Sequence, residues 1–285
     1  MTILDEKTLA LLEYYAYRVR WHSVDMARDK LKMHFGAVFS ISEIMVELYF
    51  NWMRYDSKNP SWKDRDRFVL SKGHAAPNLY ICLAEAGFFS ISELRTFRSL
   101  NSILQGHPCR LKTPGVEVSS GSLGTGIAAA VGMAIAGKME KSLWRVYVVI
   151  SDAECNEGST WEAIQVASNH HLGNMTVLLD RNGMSAGGSM KNRNDIEPLI
   201  DKWRAFNWAV RESDGHDFQQ LHDSLEWSET ITDQPKVIIC HTEKGRGVPV
   251  VRTQGEHNFA LSTAQYQQSL IELAEVEKEL KYHGN

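Results

Sequence analysis

The sequence predicts an α/β fold: a single three-layer domain in which a parallel sheet is flanked by helices. Three observations predict it. Short apolar runs alternate with helical stretches along the chain. The runs around Val148, Leu178 and Ile238 are apolar throughout, as parallel strands covered on both faces require. No internal repeat and no Pro/Ser-rich linker divides the 285 residues, so one domain is expected over 1–285.

The elements follow in order. Residues 7–33 carry apolar positions at Leu9, Leu12, Tyr15, Ala16 and Val19, the spacing of a helix. A second helix is expected over 40–52, with Ser40 as N-cap and Glu43 as its capping-box partner. Strands are expected at 68–71, 146–151, 176–180, 208–212 and 237–241. Helices fill 127–139, 161–170 and 218–227 between them. The segment 263–282, rich in Glu and Lys, reads as a solvated amphipathic helix.

Composition narrows the function. The chain has 43% hydrophobic and 23% charged residues, which excludes a disordered or low-complexity protein. A net charge of −4 with no basic run argues against nucleic acid or an anionic membrane surface as partner. Cys82, Cys109, Cys155 and Cys240 form no CxxC pair, which suits a reducing compartment and gives no zinc signature. The N-terminus lacks a basic-then-apolar leader. The most membrane-like stretch, 126–137, is too short to span a bilayer, so a cytoplasmic location is expected.

Chemistry is expected at the carboxyl ends of the strands, where sheets of this kind bind ligands. Asp152 directly follows one apolar strand and Asn182 the next, a spacing of one βαβ unit. Parallel neighbours lie ~5 Å apart, so a carboxylate and an amide oxygen can converge on one hard cation, Mg²⁺ or Ca²⁺, that shares its shell with phosphate. The helix opening near Gly158 would point free N–H groups at the same place. Taken alone, Asp152 is as well explained as a strand-end cap. Four histidines, His34, His74, His107 and His257, sit in loops, mostly beside Gly or Pro, where they can bond phosphate or sugar hydroxyls and pass protons. Any one of the chain's 11 histidines is more simply a satisfied surface residue. His170 and His171 at a helix end read as dipole capping. Gly121, Gly124 and Gly126 allow close approach of backbone to a ligand. Gly124, Gly126 and Ala129 also fit a dinucleotide fingerprint, although no convincing strand precedes them.

Read together, four segments resemble the N-terminal, thiamine diphosphate-binding half of transketolase, in the family's order. DRFVLSKGHAAPNLY is similar to its strand–SxGH–helix segment. QGHP…TPGVEVSSGSLGTG is similar to GHPE…TPGVExxTGPLGQG. SDAECNEGSTWEA…DRNG resembles GDGExxEGxxWEA…DxNx, and HTEKGRGVP resembles the K-G-x-G segment. The resemblance implies Asp152, Asn182 and the backbone carbonyl of Met184 as ligands of a divalent metal, Mg²⁺ or Ca²⁺, bridging to the diphosphate of thiamine diphosphate. His74, His257 and the N–H of Ala153 would contact that diphosphate. Gly121 and Leu123 would line the ring pocket. His34, His107 and His257 would face the substrate, and Glu157 would sit at an interface coupling two sites. The departures are specific: GDG becomes Ser151, Asp152, Ala153; GPLGQG becomes GSLGTG; SGHPG survives only as Met33, His34, Phe35, Gly36.

Full-length members carry a second half that binds the aminopyrimidine, supplies the activating glutamate and holds substrate phosphate. The resemblance therefore implies a split transketolase, moving a two-carbon ketol unit from a ketose to an aldehyde acceptor. A separately encoded pyrimidine-binding subunit would complete an α₂β₂ assembly working on sugars or sugar phosphates. Three other readings are kept: the α subunit of a 2-oxoacid-decarboxylating thiamine enzyme, a nicotinamide oxidoreductase using the Gly124–Ala129 segment, and a non-catalytic homologue.

Overall fold

The computed structural model describes residues 2–253 and 257–282. Among the described residues seven strands form in chain order: β1 (Arg67–Leu70), β2 (Val146–Ser151), β3 (Met175–Arg181), β4 (Met184–Ser185), β5 (Gly188–Ser189), β6 (Ala209–Asp214) and β7 (Lys236–His241). Five of them make one parallel sheet in the order β1-β2-β3-β7-β6, and β4 and β5 form a small antiparallel hairpin directly after β3. Register aligns Ser151 with Asp180 and Asp180 with Cys240, so three strand tips end level with one another.

Alternation along each strand builds two cores. Tyr147, Val149, Leu178, Ile238 and Cys240 pack on one face with Glu6–Met26, Ser42–Glu47, Ala76–Glu85 and Phe218–Glu229. Val146, Val148, Ile150, Val177, Leu179, Val237 and Ile239 pack on the other with Thr125–Met139, Gly158–Asn169 and Leu199–Ala205. This is why the runs read as apolar throughout. Each fully buried Val, Leu or Ile contributes roughly 1.5–3 kcal/mol relative to exposure, enough to override weak local propensity. The expected three-layer fold is present.

Three expectations need correcting. The first helix stops at Met26, not residue 33: Lys30 takes a left-handed conformation (φ 58°), and Met33 bridges to Phe259 as a single antiparallel pair. Ser40 is no N-cap. It closes the short helix Phe35–Phe39, its hydroxyl donates to Asp180 at 2.8 Å, and Glu43 pairs with Arg20 at 2.6 Å. Buried tertiary partners therefore outcompete the local cap, and the following helix, Ser42–Glu47, ends in a wider turn over Leu48–Trp52. The last helix, Thr263–Glu279, is not simply solvated: Leu273 is fully buried in the core that holds the first helix, and Ser262 with Gln265 forms its capping box.

Candidate active site

The site is assembled at the carboxyl ends of β1, β2, β3 and β7. Where β2 ends, Asp152 caps a one-turn helix, Ala153–Asn156. Its Oδ1 accepts the N–H of Ala153 at 2.7 Å and its Oδ2 the N–H of Gly183 at 2.6 Å. Gly183 reaches that position with φ 70°, which an L-residue rarely adopts. The neighbouring Asn182 donates its amide N–H to Asp180 at 2.8 Å and accepts the N–H of Met184 at 3.0 Å. Asp152 and Asn182 line one cleft of 610 Å³ with Gly183, Arg181, Met190 and His241. The structure brings the two expected oxygen ligands together.

Asp152 is 2% exposed. Burial, then the Asp180 carboxylate, pushes its pKa up to about 7. A divalent cation would offset that cost by favouring the ionised form. No group of three His, Cys, Asp or Glu side chains suited to a metal exists among the described residues. The donors on offer are one carboxylate and one amide oxygen, to which the family resemblance adds the backbone carbonyl of Met184. This all-oxygen set fits a hard cation. The N–H of Ala153, expected to face a diphosphate, is here given to the carboxylate of Asp152.

Three of the four histidines gather in one cluster. Ring centroids lie 5.2 Å apart for His34 and His74, 4.6 Å for His34 and His257, and 5.4 Å for His74 and His257. Burial, with Lys72 and the other rings, drives the pKa of His74 down to about 2. Burial and His34 take His257 to about 4, and burial also lowers His34. The three therefore stand as neutral imidazoles near neutral pH. Nδ1 of His34 is buried without a hydrogen-bond partner among the described residues. His107 is exposed on the adjoining loop, where its carbonyl accepts the Tyr80 hydroxyl at 2.8 Å. Gly121 seats it, since a Cβ there would lie 3.3 Å from the ring. Leu123 is half-buried on the same loop, and Glu157 is exposed at the start of Gly158–Asn169.

Several organising residues escape sequence reasoning although they lie inside the quoted motifs. Lys72 and Asp180 form an ion pair at 2.5 Å with both side chains fully buried. Glu154, also fully buried, accepts from the Ser71 hydroxyl and from the N–H of Gly124 at 2.7 Å. It thus joins the SKGH turn, the glycine loop and the Asp152 turn. The side chain of Lys244 lies across Gly36, where a Cβ would come within 2.5 Å of it. A lysine two places before a histidine, and an acid two places after Asp152, are the available signals. Gly124 and Gly126 also lose their dinucleotide reading. The first gives its N–H to Glu154, and the second seats Ser71, with a virtual Cβ 2.6 Å from it.

Strand tips carrying paired oxygen donors, with a cluster of neutral imidazoles on neighbouring loops, give an α/β domain suited to an anionic, metal-bridged ligand. Residues 13–274 match the family described as transketolase, thiamine diphosphate binding domain. The chain belongs to the transketolase family, a family of transferases, and corresponds to its N-terminal part. It is 38% identical over 241 residues to the 6-deoxy-6-sulfo-D-fructose transketolase subunit SqwG of Clostridium sp. (strain MSTE9), covering 84% of this chain and 88% of that protein. It is 33% identical over 275 residues to one of the apulose-4-phosphate transketolase subunits, that of Phocaeicola vulgatus, covering 96% of this chain and 98% of that one. Against a crystal structure of transketolase from Campylobacter jejuni it superposes with a TM-score of 0.87 at 29% identity, covering 95% of this chain and 43% of that one. The chain thus spans less than half of a one-chain transketolase and most of a stand-alone subunit.

Proposed function

We propose that this chain is the thiamine diphosphate-binding subunit of a split transketolase. With a separately encoded pyrimidine-binding subunit, it transfers a two-carbon ketol unit from a ketose to an aldehyde acceptor. The observation that carries this reading is the pair of coverages: most of each relative named as a subunit, but 43% of a one-chain transketolase. The assembly is an α₂β₂ heterotetramer in the cytoplasm. Four cysteines, all free, support a reducing location.

Asp152 and Asn182, with the carbonyl of Met184, would hold Mg²⁺ or Ca²⁺ at the diphosphate end of the cofactor. His74, His257 and Ala153 border that diphosphate; Gly121 and Leu123 border the rings. Bound there, thiamine diphosphate supplies the carbanion stabilisation that cleavage and formation of a carbon–carbon bond require. His34, His107 and His257 meet the sugar hydroxyls. A neutral imidazole, as His34 and His257 are, offers such a hydroxyl one ring nitrogen as acceptor and one N–H as hydrogen-bond donor. Glu157, exposed in the isolated chain, reaches the interface with another subunit. The relatives' names specify a sulfonated and a phosphorylated sugar, so an anionic ketose or aldose is the substrate class.

The test is reconstitution. This chain and its partner, with thiamine diphosphate and Mg²⁺, are expected to transfer a ketol unit between sugar phosphates. Carbon dioxide release from 2-oxoacids, with no ketol transfer, would instead assign a decarboxylating enzyme.

A further inference from the structure

We propose that Asp180, held by Lys72, is the positioning residue that decides which end of the Asn182 amide faces the metal. The inference rests on the cofactor reading above and deepens it.

Asp180 Oδ2 accepts Lys72 Nζ at 2.5 Å, the Ser40 hydroxyl at 2.8 Å and Asn182 Nδ2 at 2.8 Å, while Oδ1 accepts the Thr242 hydroxyl. Both charged side chains are wholly buried. An ionised carboxylate only accepts, so the amide group of Asn182 must turn its nitrogen toward Asp180. Its oxygen is thereby committed to the other side, toward the N–H of Met184. That oxygen accepts one N–H, from Met184 at 3.0 Å, and a second lone pair is left for a cation. Without the carboxylate only the N–H of Met184 dictates this polarity, and an amide turned the other way presents hydrogens to the metal.

The pair also spans the sheet. Lys72 follows β1, Asp180 lies in β3, Thr242 follows β7, and Ser40 ends a helix on one face. Four segments thus fix one rotamer. Outer-shell residues of this kind typically alter metal affinity by roughly 10–100-fold when changed.

The experiment follows thermal stabilisation of the full chain by thiamine diphosphate across a Mg²⁺ titration, for wild type, Asp180→Asn and the double variant Lys72→Met/Asp180→Asn. The single variant strands a buried ammonium and is expected to melt lower. The double variant removes that unpaired charge and is expected to recover most of the loss. Both should need about tenfold more Mg²⁺ for half the stabilisation, yet approach the wild-type shift at saturating Mg²⁺. A double variant with the wild-type Mg²⁺ requirement, one weakened equally at every Mg²⁺ concentration, or one that stays unfolded would confine the pair to the fold and overturn the role. A wild-type chain with no Mg²⁺-dependent stabilisation would sink the cofactor reading itself.

Discussion

The carboxylate of Glu154 accepts the backbone N–H of Gly124 at 2.7 Å, across 30 residues of sequence. The same carboxylate takes the Ser71 hydroxyl, whose oxygen in turn accepts the N–H of Ile127 at 2.9 Å. Three loops that carry the candidate cofactor residues are thereby tied at one buried acid. Burial raises the pKa of Glu154, and these donors pull it back.

Glu154→Gln tests that knot. The amide keeps the shape but replaces one acceptor oxygen with a donor nitrogen facing other donors. A buried mismatch of this kind costs about 1–3 kcal/mol. Chemical denaturation should register the loss, and the shift produced by thiamine diphosphate should shrink with it. Unaltered stability would mean that the three loops are held elsewhere.

Asp152→Ala and His107→Ala should separate holding from turnover. The first removes the carboxylate proposed to hold the metal, and calorimetry should find no Mg²⁺-dependent binding of thiamine diphosphate. The second changes an exposed ring, leaving that binding intact while turnover of the reconstituted enzyme falls, about 10²–10⁴-fold for a proton-transfer group. Wild-type turnover in His107→Ala would remove it from the chemistry.

Acid should destabilise the chain through its histidines. His74, with a folded pKa of about 2, stays neutral while the unfolded chain takes up a proton below about 6.5. The unfolded state then binds more protons, so the stabilising contribution is complete above about pH 6.5 and is lost progressively as pH falls toward 2. For a buried ring the slope is about 1.4 kcal/mol per pH unit. Melting curves of His74→Asn between pH 7 and 5 should be flatter than wild type; parallel curves would contradict the assignment.

Gly36→Ala should displace Lys244. The added methyl falls 2.5 Å from its Cγ, and relieving such an overlap costs about 1–3 kcal/mol. Lys244 lies close enough to Asp152 and Asp180 for each to raise its pKa against the lowering by burial. A weaker response to thiamine diphosphate is therefore expected along with a lower melting point. A crystal structure with Lys244 unmoved would refute this.

The sheet is legible in the sequence because its strands are buried on both faces, which turns them into continuous apolar runs with sharp ends: 146–151 is expected and Val146–Ser151 is found. Asp152 and Asn182 are legible for the same reason, since a polar residue directly after such a run lies at a strand tip. Lys72 and Asp180 are not, because a lone lysine and a lone aspartate look solvent-exposed until the fold places them 2.5 Å apart. Ser40 reads as a cap because its actual partner, Asp180, lies 140 residues away. The role of Lys244 is equally invisible, as only the packed loop shows that Gly36 is its seat.

The lone nitrogen of His34 has an energetic corollary. A buried polar atom left unbonded raises the free energy of the unliganded chain by about 1–3 kcal/mol. A ligand hydroxyl that bonds Nδ1 would relieve this penalty, less the cost of stripping water from that hydroxyl. A deoxygenated analogue, unable to make the bond, would forfeit the gain.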